Sequence, residues 1–263
     1  MIDQLFTLIF LFASLIVVGI GYALYVFPWI TRYLELYISE KEITDKKILV
    51  ISDLHLFAER NCDSSILYKI VNDEKPDMII LAGDVLEYHK KVDEKTLKSL
   101  LEKCFFKSDN NNLIATADII YLTSLSSHDP ILNRKEIRLE INDVEFTIIR
   151  GCIKLFGQNH NSIFICHGDY IARNGAVAGI LNKVMSHFGK NLFLEKMLKK
   201  KICENEDDWL IMGHTHIPGI DYSSRVANTG AWKAHPLRGP SYTYVVIDFE
   251  KYDGEKVLLK SIK

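Results

Sequence analysis

Five short blocks carry the residues able to do chemistry: Asp53-Leu54-His55, Gly83-Asp84, His128-Asp129, His167-Gly168-Asp169 and Gly213-His214-Thr215-His216. They hold five of the nine histidines, and each lies at or near the end of an apolar run. Short apolar runs bounded by polar loops read as buried strands, which places the blocks on loops at strand ends. In open α/β sheets ligands bind at that edge. Carboxylates and imidazoles gathered there point to a metal site, because both are ligands for divalent cations of intermediate softness.

The elements that must position these blocks follow from the pattern. Residues 47–53 read as a strand, 64–71 as a helix, 77–82 as a strand, 94–104 as a helix and 117–123 as a strand. That alternation is the mark of a layered α/β sheet with right-handed crossovers. Residues 136–141 and 144–149 alternate with period two around Asn142-Asp143, a hairpin with a two-residue turn. Runs at 162–166 and 209–212 lead into the third and fourth histidine-bearing loops, a helical stretch fills about 172–201, and strands close the chain at 242–249 and 257–262. Asn110-Asn111-Asn112 reads as a polar turn. The expected fold class is α/β: two mixed β-sheets packed as a sandwich flanked by helices, plus an N-terminal transmembrane helix.

No charge occurs from Gln4 to Thr31, and the run ends in the aromatics Tyr22, Tyr25, Phe27 and Trp29. It exceeds the roughly 20 apolar residues that cross a bilayer as a helix, and late Tyr and Trp suit the interfacial belt. A signal peptide opens with Lys or Arg, whereas this chain opens Met-Ile-Asp-Gln. The expectation is an uncleaved anchor at 1–31 contacting membrane through residues 5–30, a connector at 32–46 in which residues 30–39 read as helical and partly interfacial with Tyr33, Leu34 and Tyr37 on one face, and a domain over 47–263. Arg32, Lys41, Lys46 and Lys47 flank only the C-terminal side of the span. The positive-inside rule then makes the protein single-pass with its large domain in the cytoplasm. The five dispersed cysteines, with no C-x-x-C pair, argue for reduced thiols and the same compartment. A formal charge of −2 gives no basic bias, so bulk electrostatic binding to nucleic acid is not favoured.

The ordered set D-x-H, G-D, H-D, H-G-D and G-H-T-H resembles the calcineurin-like metallophosphoesterases over residues 47 to about 249. Within that superfamily, Asp53-Leu-His-Leu, the H-G-D block, Gly213-His-Thr-His-Ile-Pro218 and Asn228-Thr-Gly-Ala-Trp232 resemble the UDP-2,3-diacylglucosamine pyrophosphohydrolase branch. The resemblance implies a four-layer sandwich with two divalent cations at the strand ends. It assigns Asp53, His55, Asp84 and His216 to one metal and Asp84, His167 and His214 to the other, with Asp84 bridging. Cations about 3.5–4 Å apart can share a carboxylate and deprotonate a water for in-line attack on phosphorus. The donor mixture favours Mn²⁺, with Fe or Zn as alternatives. His128 resembles the family histidine that stabilises the transition state or protonates the leaving oxygen, with Asp129 expected to orient its ring.

One block departs from the family. Its usual G-N-H-D or G-N-H-E carries an Asn that ligates the second metal, and Ser126-Ser127-His128-Asp129 stands here. Ser127 would give a weak or water-mediated contact at most. The pyrophosphohydrolase branch usually has Arg where this chain has His128.

A helical cap is expected at about 170–203, where apolar residues at helical spacing alternate with lysines. Packing on the sheet and resting on an anionic membrane both explain it. Arg173, beside it, is a candidate phosphate contact. His89, His160, His187 and His235 read as ordinary. The resulting expectation is a membrane-anchored, metal-dependent phosphoesterase cleaving a phosphoester or pyrophosphate bond, of a lipid-linked or nucleotide-sugar substrate. The alternatives are a phosphodiesterase for soluble (cyclic) nucleotides or nucleic acid, and a catalytically silent metal-binding scaffold at the membrane.

Overall fold

The computed structural model describes the chain apart from residues 1, 23–35, 45, 58–64, 107–116, 125, 158–159, 235–238, 252–254 and 263. The first sheet is built on three parallel strands, β2 (Lys47–Ile51), β3 (Met78–Ala82) and β4 (Asp118–Thr123), with α2 (Ser65–Glu74) and α3 (Glu94–Phe105) in the crossovers. The hairpin of β5 (Glu136–Ile141) and β6 (Val144–Arg150) extends one side, and β12 (Thr243–Asp248) with β13 (Val257–Ser261) extends the other. Its order is β13-β12-β2-β3-β4-β6-β5. Asn142 and Asp143 both take positive φ, the geometry a two-residue hairpin turn demands.

The second sheet runs β1-β7-β8-β9-β11-β10, from β1 (Ile38–Glu42), β7 (Cys152–Gly157), β8 (His160–Cys166), β9 (Trp209–Met212), β10 (Gly219–Asp221) and β11 (Val226–Asn228). Both sheets mix parallel and antiparallel pairs.

Because strand side chains alternate between faces, each central strand feeds two cores. Ile48, Val50, Met78 and Ile80 meet Ile163, Ile165, Trp209 and Ile211 between the sheets. Leu49, Ile51, Ile79 and Leu81 face the other way, onto α2 and α3. Phe164, Cys166, Leu210 and Met212 face α4 (Gly175–His187) and α5 (Phe193–Ile202). The result is the expected helix–sheet–sheet–helix sandwich. Asp93 caps α3 by accepting from the Thr96 amide at 2.8 Å, and Asn174 caps α4 through the Val177 amide at 3.1 Å.

Two expectations are corrected. The connector is not helical at its C-terminal end: Ile38–Glu42 is an edge strand parallel to β7. The Cys152 amide donates to the Tyr37 carbonyl at 2.9 Å, and Tyr37 and Ser39 hydroxyls both reach Glu136, at 3.1 and 3.0 Å. Long-range sheet pairing overrides the local helical pattern there. Tyr33 and Leu34 lie outside the described residues, as do Tyr25, Phe27, Trp29, Arg32, the Asn110–Asn112 turn and His235. The second correction concerns the thiols. Cys104 is disulfide-bonded, whereas Cys152, Cys166 and Cys203 are free, and Cys62 lies outside the described residues. Spacing along the chain does not report which side chains folding brings together. The inferred orientation of the domain then rests on the flanking charges alone.

α1 (Ile2–Gly21) contains an eighteen-residue span, Gln4–Gly21, long and apolar enough to cross a membrane and unburied by the rest of the chain. At the opposite side of the fold, Glu74 closes α2 against the strands. Its carboxylate accepts from Tyr244 at 2.9 Å and pairs with Lys260 at 2.8 Å and Lys47 at 2.9 Å. Burial opposes its ionisation, but these three partners hold the carboxyl below its usual range. A depressed folded value means stability that is present above the unfolded value of ~4.3 and lost as pH falls through the folded one. Glu74→Ala is expected to cost about 1.5–3 kcal/mol at neutral pH. In urea titrations that difference should shrink steadily below pH ~4.3.

Candidate metal centre

β2, β3, β8 and β9 end on one edge of the sandwich, and their following loops converge there. Asp53, His55, Asp84, His214 and His216 all take left-handed φ between 49° and 69°. For non-glycine residues this conformation costs on the order of 1–3 kcal/mol each, and such strain gathers at functional sites. Gly83 and Gly213 make the approach possible. A Cβ on Gly83 would lie 2.5 Å from the His167 ring, and one on Gly213 would collide with Ser52 and Asp53.

One ligand atom from each of Asp53, His55, Asp84 and His216 fits within a mutual 4.8 Å. The His216 Nε2 stands 3.0 Å from Asp53 Oδ1, and His55 Nε2 stands 3.7 Å from Asp84 Oδ2. The other Asp84 oxygen, Oδ1, faces His167 Nε2 at 3.4 Å, and His214 Nδ1 is 3.1 Å from that same His167 nitrogen. Asp84 thus turns one oxygen to each histidine group, the disposition a bridging carboxylate needs.

The rings are also oriented as ligands. Three of them place one nitrogen on an anchor: His55 Nδ1 on Glu87 at 2.8 Å, His167 Nδ1 on the Ala82 carbonyl at 3.2 Å, and His214 Nε2 on the Ala172 carbonyl. The remaining nitrogens of His55 and His167 face Asp84, and that of His214 faces His167, so all three converge on one centre as metal-binding imidazoles do. His55 Nε2 is buried without a hydrogen-bond partner among the described residues. These residues fit a pair of divalent cations.

Electrostatics agree. Burial raises the carboxyls of Asp53 and Asp84, yet His216 beside the first, and His167 and His55 beside the second, hold both below the ordinary range. Burial opposes a proton on His167, but Asp84 and Asp53 raise it well above the usual imidazole value. His214 is lowered by burial and by His167. A site that draws protons this strongly onto imidazoles between carboxylates is one that attracts cations.

The chain matches the calcineurin-like phosphoesterase superfamily domain across residues 47–252. It belongs to that superfamily. This calcineurin-like phosphoesterase is a metal-dependent phosphoester hydrolase. Solved structures with similar folds include the zinc-complexed Vps29 of Entamoeba histolytica, at 13% identity and a TM-score of 0.41, covering 82% of this chain and 98% of that one. An archaeal phosphodiesterase is 17% identical at a TM-score of 0.35, covering 82% and 99%. A predicted phosphoesterase of Streptococcus pneumoniae is 16% identical at 0.33, covering 78% and 85%. At these scores none of them bears on the activity. No curated protein matches the sequence.

One expected position is placed differently. Asp129 does not orient His128. Its buried carboxylate accepts from the backbone amides of Asp84, Val85 and Leu86 at 2.7, 2.9 and 3.0 Å, and from the Tyr121 hydroxyl. Burial and the nearby Asp84 charge push its carboxyl up to about 6. The Ser127 hydroxyl turns into its own loop, donating to the Ser124 carbonyl at 3.3 Å and accepting from the Ser124 and Asp129 amides. Arg173 is exposed and lines the cleft over the site without touching the metal-ligand candidates in any described contact.

Glu87 is the residue that sequence reasoning missed. One oxygen takes His55, the other takes His128 Nδ1 at 2.7 Å, and Lys233 closes on it at 3.0 Å. The His55 bond and Lys233 lower its carboxyl to about 2 against the opposing effect of burial. His128 itself is half open to solvent, and its amide donates to Asp84 Oδ1 at 2.7 Å. His89, read as ordinary, lines the same cleft and bonds the Ser127 carbonyl at 2.6 Å.

Proposed function

We propose that the protein is a membrane-anchored phosphoesterase that hydrolyses a phosphoester or pyrophosphate bond in a lipid-linked substrate. One observation carries the reading. The cleft of about 710 Å³ over the metal-ligand candidates is lined on one side by His55, Asp84, His214 and His216, and on another by Gly19 and Tyr22 from the end of the apolar helix. A substrate entering it meets the end of the membrane span. The resemblance to the UDP-2,3-diacylglucosamine pyrophosphohydrolase branch supports a glycolipid or nucleotide-sugar framework, and the flanking lysines support a cytoplasmic face.

Asp53, His55, Asp84 and His216 would hold one cation, and Asp84, His167 and His214 the other, with Mn²⁺ preferred by the mixed oxygen and nitrogen donors. When bound, the cations polarise the phosphoryl oxygens and activate a water. His128 would give a proton to the leaving oxygen, and Lys233 and Arg173 would meet phosphate charge. Glu87 positions His128. Glu87→Gln is therefore expected to slow turnover about 10–100-fold on alkyl phosphate esters. The loss should be much smaller on an aryl ester whose leaving oxygen needs no proton, and equal losses on both would assign Glu87 to metal binding instead.

The full-length protein, stripped with a chelator and refed Mn²⁺, Fe²⁺ or Zn²⁺ separately, tests the whole reading. The expected result is restored hydrolysis of an aryl phosphate ester, best with Mn²⁺, and a preference for detergent-solubilised lipid pyrophosphates over cyclic nucleotides. Equal or better turnover of cyclic nucleotides would remove the lipid assignment.

A further inference from the structure

α4 carries apolar residues on two faces. Ala178, Leu181 and Met185 pack into the core beneath the second sheet. Val177, Ile180, Val184 and Phe188 stand outward, 46, 48, 36 and 74% exposed. At about 100° per residue these four fall within roughly a quarter of the helix circumference, adjoining the buried face at Leu181. Single exposed apolar residues need no cause, but a continuous stripe marks a contact surface.

We propose that this stripe is a second bilayer contact, with α4 lying in the headgroup region beside the end of α1. The proposal rests on the membrane-anchor reading above. Two observations choose lipid as the occupant. Ile20, near the end of α1, packs against the same core cluster as the buried face of α4. Gly19 and Tyr22 line the metal cleft together with Ala176 and Val177 from the first turn of α4. The outward stripe therefore begins where a crossing helix leaves the hydrocarbon. Along α1 the large apolar side chains from Leu5 to Val18 are 45–76% open, so among the described residues nothing covers either surface. Lys183 and Lys190 accompany the stripe, and such a helix, apolar on one side with cations near it, settles in an anionic interface.

The geometry has a consequence for access. With α1 normal to the membrane and α4 resting on it, the mouth of the cleft is held at the level of lipid phosphates. A second cavity of about 750 Å³ borders the first at Gly175, Ala176 and His216, and runs between α4 and residues 215–223 past Ile180, Leu192 and Ile217. The scissile group and an apolar arm of the same lipid then have adjoining places without the lipid leaving the interface.

Nitroxide labels on the full-length protein in phosphatidylcholine–phosphatidylglycerol vesicles test the contact. They are placed singly at Phe10, Val184, Phe188 and the exposed Glu145 in a Cys203→Ser background, leaving the buried Cys152 and Cys166. Collision with oxygen against collision with a water-soluble nickel chelate reports immersion. The expected order is deep for 10, shallow but within lipid for 184 and 188, and aqueous for 145. Labels at 184 and 188 behaving like 145 while 10 is deep would overturn the α4 contact and leave the anchor standing. An aqueous 10 would remove the anchor reading and this proposal with it. Labels at 184 and 188 shielded from both reagents would assign the stripe to a protein neighbour, such as a second copy, and also overturn it.

Discussion

Asp84→Asn is expected to lower turnover of an aryl phosphate ester by about 10³-fold or more, a loss of roughly 4 kcal/mol in transition-state stabilisation. The substitution keeps the shape of the side chain, so the loop need not move. It removes the charge that both histidine groups face, one oxygen toward His55 and the other toward His167. It also places an amide nitrogen where one carboxylate oxygen stood, and an amide N–H cannot ligate a cation. Elemental analysis after dialysis is expected to find at most one tightly held cation per chain. Asp84 shares its surroundings with Asp53 and Asp129, which its charge repels. His167 and His55 outweigh that repulsion and hold the Asp84 carboxyl below its ordinary range, so the thermal midpoint of the metal-free variant is expected to fall below that of the parent at neutral pH. Undiminished turnover, or two cations retained, would show that the bridging assignment is wrong.

Asp129→Ala is expected to do the reverse, striking the fold first. Three consecutive backbone amides and the Tyr121 hydroxyl converge on the Asp129 carboxylate in a buried site. Without it, donors are left unmade in the interior at about 1–3 kcal/mol each. A total near 5 kcal/mol lowers the midpoint of a domain this size by about 10–20 °C. Loss of metal affinity follows, since the amides held by Asp129 belong to Asp84 and the two residues after it. Asp129→Asn keeps an acceptor and should fall between. If Asp129 merely oriented the His128 ring, the alanine variant would melt like the parent while losing turnover, and a thermal scan beside an activity assay separates the two.

Much of this was readable from residue order alone. A run such as Ile48 to Ile51, followed by Asp53 and His55, announces a buried strand with a ligand-bearing loop, because burial on both faces demands continuous apolar residues. The same logic located the loops after β3, β8 and β9. Asp129 was noticed for its neighbour in sequence, yet the backbone turns its side chain away from His128 and onto the Gly83-Asp84 loop. Glu87 gave no signal, being one acid among thirty-four Asp and Glu residues with no periodicity to mark it. β1, with the sequence ISEKE, is too charged to read as a strand, and exists because β7 offers an unpaired edge. The three residues of β11 are too few for any pattern.

Glu195 shows the same limit and has its own consequence. Buried in α5 with no cation among its contacts, it accepts from Asn182 on α4 at 2.7 Å, and from Thr215 and Asn228 at 2.9 Å each. Thr215 sits between His214 and His216, and Asn228 also grips the Gly213 carbonyl at 2.8 Å. The two outer helices and the histidine loop are therefore bolted to a common hub. Any displacement of α4 or α5 is transmitted to two imidazoles, so a substitution on the helix side of the hub and one on the loop side are not independent.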